Sequence, residues 1–424
     1  MFRALNVRAH EWPALAWSFV YFFCVLCGYY VLRPVRDEMG IAGGISNLPW
    51  LFTGTFLAML AAVPLFGWVT GRFPRRVMLP AVYGFFIVNL LVFYLLMLSG
   101  VAPGLIARVF FVWVSVYNIF IVSVFWSFMV DLYTNEQGKR LFGMIAAGGT
   151  AGALTGPALT ATLAVPLGVP NLLLVSAVFL GIAVLCILRL LAWDTQPEAR
   201  LGAARQASNG PLGGSVWGGI RAVAGSGYLL GICLYVTLFS LLFTFLYFEQ
   251  ARIVAASLAS GAERTRLFAY IDLSVNLLAL ILQVAVTAKL LNRLGVAGTL
   301  VLLPALSVAG FAMLGAYPVL AVLVVFQVVR RAGEYAVAKP ARELLYAVLD
   351  RERKYKAKNF IDTVVFRGAD AGSGWLLAGL KALGLGVVAL ALAAVPLALG
   401  WATVSWLLGK RQQALARTPV SRDS

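Results

Sequence analysis

Twelve nearly unbroken apolar stretches, each long enough to cross a bilayer, run through this chain near residues 14–36, 48–70, 77–99, 105–131, 141–164, 169–192, 228–250, 266–288, 296–316, 318–338, 360–383 and 386–408. About 20 apolar residues in a helix cover the roughly 30 Å hydrocarbon core, where every backbone polar group must find its partner within the segment. The expected fold is an all-α membrane protein of about twelve transmembrane helices. A transmembrane β-barrel would instead show segments of roughly ten residues alternating in hydrophobicity. A soluble enzyme is excluded by composition, since soluble domains carry about 25% charged residues and this chain carries 12%, with 61% hydrophobic.

The net charge of +17 then reports topology before it reports a partner. With the N-terminus inside, Arg33, Arg36, Arg108, Arg252, Arg264, Arg266, Arg367 and Lys381 are the exceptions among 34 lysines and arginines, which leaves 26 on the cytoplasmic side. Both termini are expected in the cytoplasm, the protein in a bacterial inner membrane, and the basic residues facing lipid headgroups and loops rather than nucleic acid. Arg3, Arg8 and Glu11 precede the first run and no small-residue cleavage site closes it, so that run is read as a retained span.

Little in the chain resembles an enzyme's chemistry. Cys24 and Cys27 have CxxC spacing, but no second pair completes a zinc site, and all four cysteines lie in apolar runs that disfavour a thiolate. His10 is the single histidine, so no histidine-based metal site or proton relay is expected, and no G-x-x-x-x-G-K-[ST] phosphate cradle exists. No metal and no cofactor are expected. Transport, where it occurs, is secondary.

Residues 194–227 form the longest polar segment between spans and divide the chain into a six-helix bundle at 1–193, a cytoplasmic linker, a second bundle at 228–409 and a basic tail at 410–424. Two such pseudo-repeats suit a transporter whose substrate lies near the bilayer midplane. The loop Gly67-Trp-Val-Thr-Gly71-Arg72-Phe-Pro-Arg75-Arg76 resembles the major-facilitator loop motif, with Gly71 in place of its usual aspartate. Gly152-Ala-Leu-Thr-Gly156-Pro157 is similar to the Gly-Pro motif of major-facilitator exchangers. Gly148, Gly152 and Gly156 share one helix face, which suits close packing of a neighbouring backbone.

Charges inside a bilayer cost about 2.5–3.5 kcal/mol each on insertion scales, so those that persist mark cavities or pairs. Tyr29, Arg33 and Arg36 fall on one face of the first span, with Asp37 four residues after Arg33 and Pro34 freeing a carbonyl. A cationic, aromatic face suits an anionic, ring-bearing ligand; an interfacial belt of snorkelling arginines is the alternative. Glu249 and Arg252 end the first span of the second half, where Glu249 is placed to pair with Arg33 or Arg36. Asp272 and Asn276 form a polar stripe with Gln283 in the eighth span. Lys358, Asp362, Arg367 and Asp370 lie in or beside the eleventh, with Arg367 and Asp370 spaced to pair. The basic loop Arg72, Arg75 and Arg76 is expected to gate the cytoplasmic side against Asp131, with Glu249 and Arg252 gating the other.

Three blocks resemble the ATP/ADP translocases of plastids and obligate intracellular bacteria. They are Phe22-Phe23-Cys24 through Leu32-Arg33-Pro-Val-Arg36-Asp37, Phe125-Trp126 through Lys139-Arg140-Leu-Phe142-Gly143, and Glu343-Leu344-Leu-Tyr346 through Lys358-Asn-Phe-Ile361-Asp362. The resemblance implies a major-facilitator-like fold and nucleotide exchange, with Arg36 at a functional lysine position. The chain departs from the family where Ser115 to Ile121 lacks a functional glutamate, where a residue near Thr244 replaces another, and where Asp370 stands at a lysine.

The leading expectation is a monomeric secondary transporter exchanging an anionic phosphorylated metabolite such as a nucleotide. A facilitator for an unrelated solute, such as a drug or a lysophospholipid, and a membrane sensor that kept the fold without transport remain open.

Overall fold

The computed structural model describes residues 7–193 and 223–417. A 3-10 turn at Ala9–Glu11 leads into α1 (Trp12–Ala42), followed by α2 (Leu48–Arg72), α3 (Arg75–Ser99), α4 (Pro103–Leu132), α5 (Asn135–Leu167) and α6 (Val169–Trp193). In the second half come α7 (Gly227–Ser257), α8 (Gly261–Ala285) and α9 (Thr287–Ala316). The remaining helices are α10 (Leu320–Gly333), α11 (Lys339–Leu345), α12 (Arg351–Phe360), α13 (Phe366–Ala382) and α14 (Val387–Arg417). The expected linker lies outside the described residues except for 223–227, and the basic tail is described only as far as Arg417, where it continues α14.

Helix ends follow local chemistry. Thr134 caps α5 by accepting from the Gln137 amide at 3.3 Å while the Gln137 side chain accepts from the Thr134 amide at 3.0 Å. Asp350 accepts from the Arg353 amide at 2.8 Å to start α12. Gly295 adopts φ 65° inside α9, a left-handed conformation that favours glycine, and bends the chain where the ninth apolar run begins.

Among the described residues, ten helices are long and apolar enough to span a membrane. The expected tenth and eleventh spans differ, because each is interrupted. A π-helical turn at Glu334–Ala338 joins α10 to α11, and another at Ile361–Val365 joins α12 to α13. The extra residue in such a turn shifts helix register, and π-turns recur at functional sites. Together the segments make a twelve-span, all-helical membrane protein.

The chain forms two compact units. The first gathers α1, α2 from Leu57 onward, α3 to α6, and α8 as far as Leu273. Around α1 it holds a continuous aromatic core: the Tyr21 hydroxyl donates to Tyr83 at 2.7 Å, Tyr83 donates to the Ile121 carbonyl at 2.9 Å, and Phe22 stacks on Phe125 at 4.2 Å. The glycine face of α5 lies directly against α1. A Cβ at Gly148 would stand 2.5 Å from the Phe19 carbonyl oxygen, one at Gly156 2.6 Å from that of Cys27, and one at Gly152 would press into that of Phe23. Thr160 donates to the Val31 carbonyl at 3.3 Å and Ser176 to that of Gly28 at 3.0 Å, tying α5 and α6 to the α1 backbone.

The second unit gathers Ile45–Phe56, α7, the rest of α8 and the helices after it. Here α9 packs along α14, and α7 packs on α13 and α14. Ile45–Phe56 belongs here through aromatic contacts: Trp50 meets Trp375 edge-on at 4.8 Å, the Trp375 indole donates to Thr53 at 3.0 Å, and Phe52 lies 5.4 Å from Tyr247.

Candidate functional site

In the first unit, α1 continues as a helix through Pro34, so Tyr29, Arg33 and Arg36 keep the shared face that their spacing implies. Tyr29 packs edge-on against Tyr30 at 5.2 Å, and the Arg33 guanidinium lies 5.7 Å over the Tyr30 ring. Arg33 meets the buried carboxylate of Asp272 at 3.7 Å. Arg36 lies 3.8 Å over the Phe111 ring, donates from Nε to the Ser115 hydroxyl at 3.0 Å and to the Phe111 carbonyl at 3.3 Å, and reaches Asp37 at 3.4 Å. Both ion pairs are longer than a well-formed charge-assisted hydrogen bond of about 2.7–2.9 Å. The two cations are thus positioned by aromatic faces and by carboxylates in long ion pairs. Ser115 is buried and touches Arg36.

Asn276 follows Asp272 by one turn of α8 and is half-buried. It lies on the part of the helix that belongs to the second unit.

The second unit holds the other expected group. Arg367 and Asp370 pair at 3.5 Å, as their spacing implied, with the Arg367 guanidinium 5.3 Å from the Phe366 ring. Asp370 is buried and also accepts from Ser240 at 2.5 Å and Thr244 at 3.4 Å. Thr244 and Asp370 thereby form a polar link between α7 and α13. Sequence reasoning missed Ser240, whose hydroxyl is indistinguishable from any buried helix serine until α13 is seen beside it. Lys358 pairs with Glu343 at 2.5 Å, and Asp362 sits exposed in the second π-turn. Glu249, fully buried, has Lys381 as its ion partner at 3.7 Å. The expectation that it would pair with Arg33 or Arg36 gives way to this, because α13 brings an ammonium beside it that the sequence had placed only in the outer loop set. Arg252, one turn beyond Glu249, is half-buried.

At the ends of α2, α3 and α4 the basic loop meets its expected carboxylate through a single member. Arg75 contacts Asp131 at 2.9 Å in a recess of about 300 Å³ lined by Pro74, Arg75, Arg76, Phe128, Asp131, Leu132 and Leu191. Arg76 is exposed, and Arg72 lies 5.8 Å over the Trp68 ring.

Two buried pairs went unassigned in the sequence. Glu38 and Arg264 form a two-pronged pair with both bonds at 2.7 Å, and Glu11 takes Arg140 at 2.8 Å. Partners more than a hundred residues apart leave no spacing signal.

Among the described residues no cluster of histidine, cysteine and carboxylate side chains is arranged to hold a metal, and the four cysteines are free thiols.

The sequence model described as "Major Facilitator Superfamily" matches residues 18–337. No curated protein sequence matches. Among solved structures the fold is similar to the nucleoside transporter NupG, with TM-score 0.63 and 13% identity over 95% of this chain and 99% of that one. It is also similar to the POT family transporter PepTSo (TM-score 0.65, 13% identity, 94% and 98% coverage) and to a bacterial homolog of the human lysosomal transporter Spinster (TM-score 0.58, 14% identity, 97% and 99%). At these identities the likeness is one of fold.

Proposed function

This chain belongs to the Major Facilitator Superfamily, and from that premise we propose that it is a secondary transporter exchanging an anionic, phosphorylated metabolite across a bacterial inner membrane, with a nucleotide as the first candidate. The observation that carries the reading is the α1 face on which Arg33 and Arg36 lie against aromatic rings with long ion pairs. A guanidinium fork matches phosphate geometry, and a ring nearby suits a base or sugar. The resemblance to ATP/ADP translocases supports the nucleotide and the exchange mode. Under this reading the halves 1–193 and 228–409 rock about the substrate, the linker and both termini are cytoplasmic, and the working unit is a monomer.

The test is binding of ATP, ADP and adenosine to the purified protein, followed by counter-flow of labelled ADP in proteoliposomes. Arg36→Lys keeps the charge and should weaken ATP binding modestly. Arg36→Gln loses it and should cost about 2–5 kcal/mol, roughly thirty-fold or more in affinity. A well-folded Arg36→Gln that binds and exchanges as the parent does removes the reading and returns Arg33 and Arg36 to an interfacial anchor. Reporter fusions near Asn209 and at Ser424 test the orientation, which a periplasmic signal at either would overturn.

A further inference from the structure

The most anomalous charge in the molecule lies away from the α1 face. Arg330, in the last turn of α10, has 1% of its surface exposed, and its Nε and Nη2 have no hydrogen-bond partner. Its guanidinium rests against two rings of α7, 5.6 Å from Phe239 and 5.3 Å from Phe243. Burying a guanidinium with unmade bonds is strongly unfavourable, and an apolar side chain of similar volume would do better for stability alone. Rings offset part of that cost without satisfying the donors.

The surroundings are built from the two π-turns. Glu334 opens the first and lies within electrostatic range of Arg342, Arg330 and Lys339; Asp362 lies in the second, within range of Arg342. Lys358 is taken by Glu343. The carboxylates Glu334, Glu343 and Asp362 thus stand among Arg330, Arg331, Lys339, Arg342 and Lys358, so positive charge is in excess. Glu334 and Arg342 are half-buried and Asp362 is exposed, so the group opens to water on that side. Tyr346 is fully buried, and its hydroxyl makes no hydrogen bond. Tyr346 faces both Asp362 and Arg342. Unpaired donors beside a polar group with surplus positive charge suit an acceptor-rich anion.

We propose that Arg330 anchors a second anion-recognition position, within the second unit, that receives a phosphate group. This rests on the reading of the protein as a transporter of phosphorylated anions and extends it by naming where a phosphate docks. The phosphate is that of the substrate or free inorganic phosphate; both offer the same oxygens to the Arg330 fork. Glu334 and Asp362 lie in the two π-turns, where the helix register shifts.

The experiment uses the full-length protein in detergent, with ATP, inorganic phosphate and adenosine as probes, and measures both affinity and melting temperature. Arg330→Met should hold or raise the ligand-free melting temperature while weakening ATP at least thirty-fold and abolishing any stabilisation by ATP or phosphate. Adenosine affinity should stay within about threefold of the parent. Arg330→Lys keeps a charge at the site and should fold and bind ATP about tenfold more weakly, which guards against a folding defect in the methionine variant. Phosphate stabilising the parent assigns the position to free phosphate as well; ATP alone doing so assigns it to the substrate. The proposal falls if Arg330→Met binds ATP as the parent does, if adenosine weakens as much as ATP, or if both variants lower the melting temperature with ATP affinity unchanged. A parent that binds none of the phosphate-bearing probes refutes the reading of a phosphorylated substrate, and this position with it.

Discussion

Glu38 near the end of α1 and Arg264 near the start of α8 are joined by two parallel hydrogen bonds of 2.7 Å, with side-chain exposures of 3% and 15%. Replacing either residue alone leaves the other charge buried, a change that typically costs about 3–5 kcal/mol. Arg264 keeps two bonds after Glu38→Met, from Nη1 to the Leu258 and Ala259 carbonyls at 3.0 Å each, and its partial exposure lets water reach it. The lower end of the range is therefore expected, about 3 kcal/mol for each of Glu38→Met and Arg264→Met. The double variant removes both charges and their desolvation together, so it should lose no more than either single, giving a coupling of about 3 kcal/mol. Equilibrium unfolding in mixed dodecylmaltoside–SDS micelles measures all four forms. Additive losses, with the double variant down by about 6 kcal/mol, would refute the argument that the pair's strength lies in mutual compensation.

The glycine face of α5 gives a second prediction: Gly152→Ala should destabilise by about 1–3 kcal/mol despite a helix-propensity gain of about 1 kcal/mol, because its Cβ would meet the α1 backbone. Gly143→Ala, with open space around it, should keep that gain, and a Gly152→Ala protein melting at or above the parent would contradict the packing. Glu11 is the acid-sensitive point: burial pushes its pKa up, but bonds from Arg140, the Arg8 amide and Gln137 outweigh burial and hold it below its ordinary value of 4.5. Because the folded pKa is depressed, its stabilisation is complete above the unfolded value and is lost as pH falls through the folded one. Melting temperatures from acid to neutral pH should show that loss, and Arg140→Gln should move it to higher pH; superimposable profiles would exclude the role. Arg75 and Asp131 are 58% and 32% exposed, so Asp131→Asn should cost under about 1 kcal/mol of stability while altering cysteine labelling around the recess. Unchanged labelling would place the gate elsewhere.

The spans were legible because bilayer thickness sets a length and hydrocarbon sets a composition, and both are properties of contiguous residues. For the same reason the shared face of Tyr29, Arg33 and Arg36, the i,i+3 pair of Arg367 with Asp370 and the smooth face of Gly148, Gly152 and Gly156 could be read from spacing alone. The interruptions at Glu334–Ala338 and Ile361–Val365 could not, since a π-turn is a register shift tolerated where neighbouring helices make room for it.

What the sequence determined by itself was the helical class, the number of spans and which side chains share a helix face, because these depend on hydrophobicity and the 3.6-residue period. Only the tertiary structure decided most pairings between charges on different helices. Glu38 found Arg264, Glu249 found Lys381, Asp370 gathered Ser240 and Thr244, and Arg330 was left with unpaired donors against two rings. Electrostatic pairing acts over a few ångströms of space, and contacts between helices distant in the chain carry no periodicity along it.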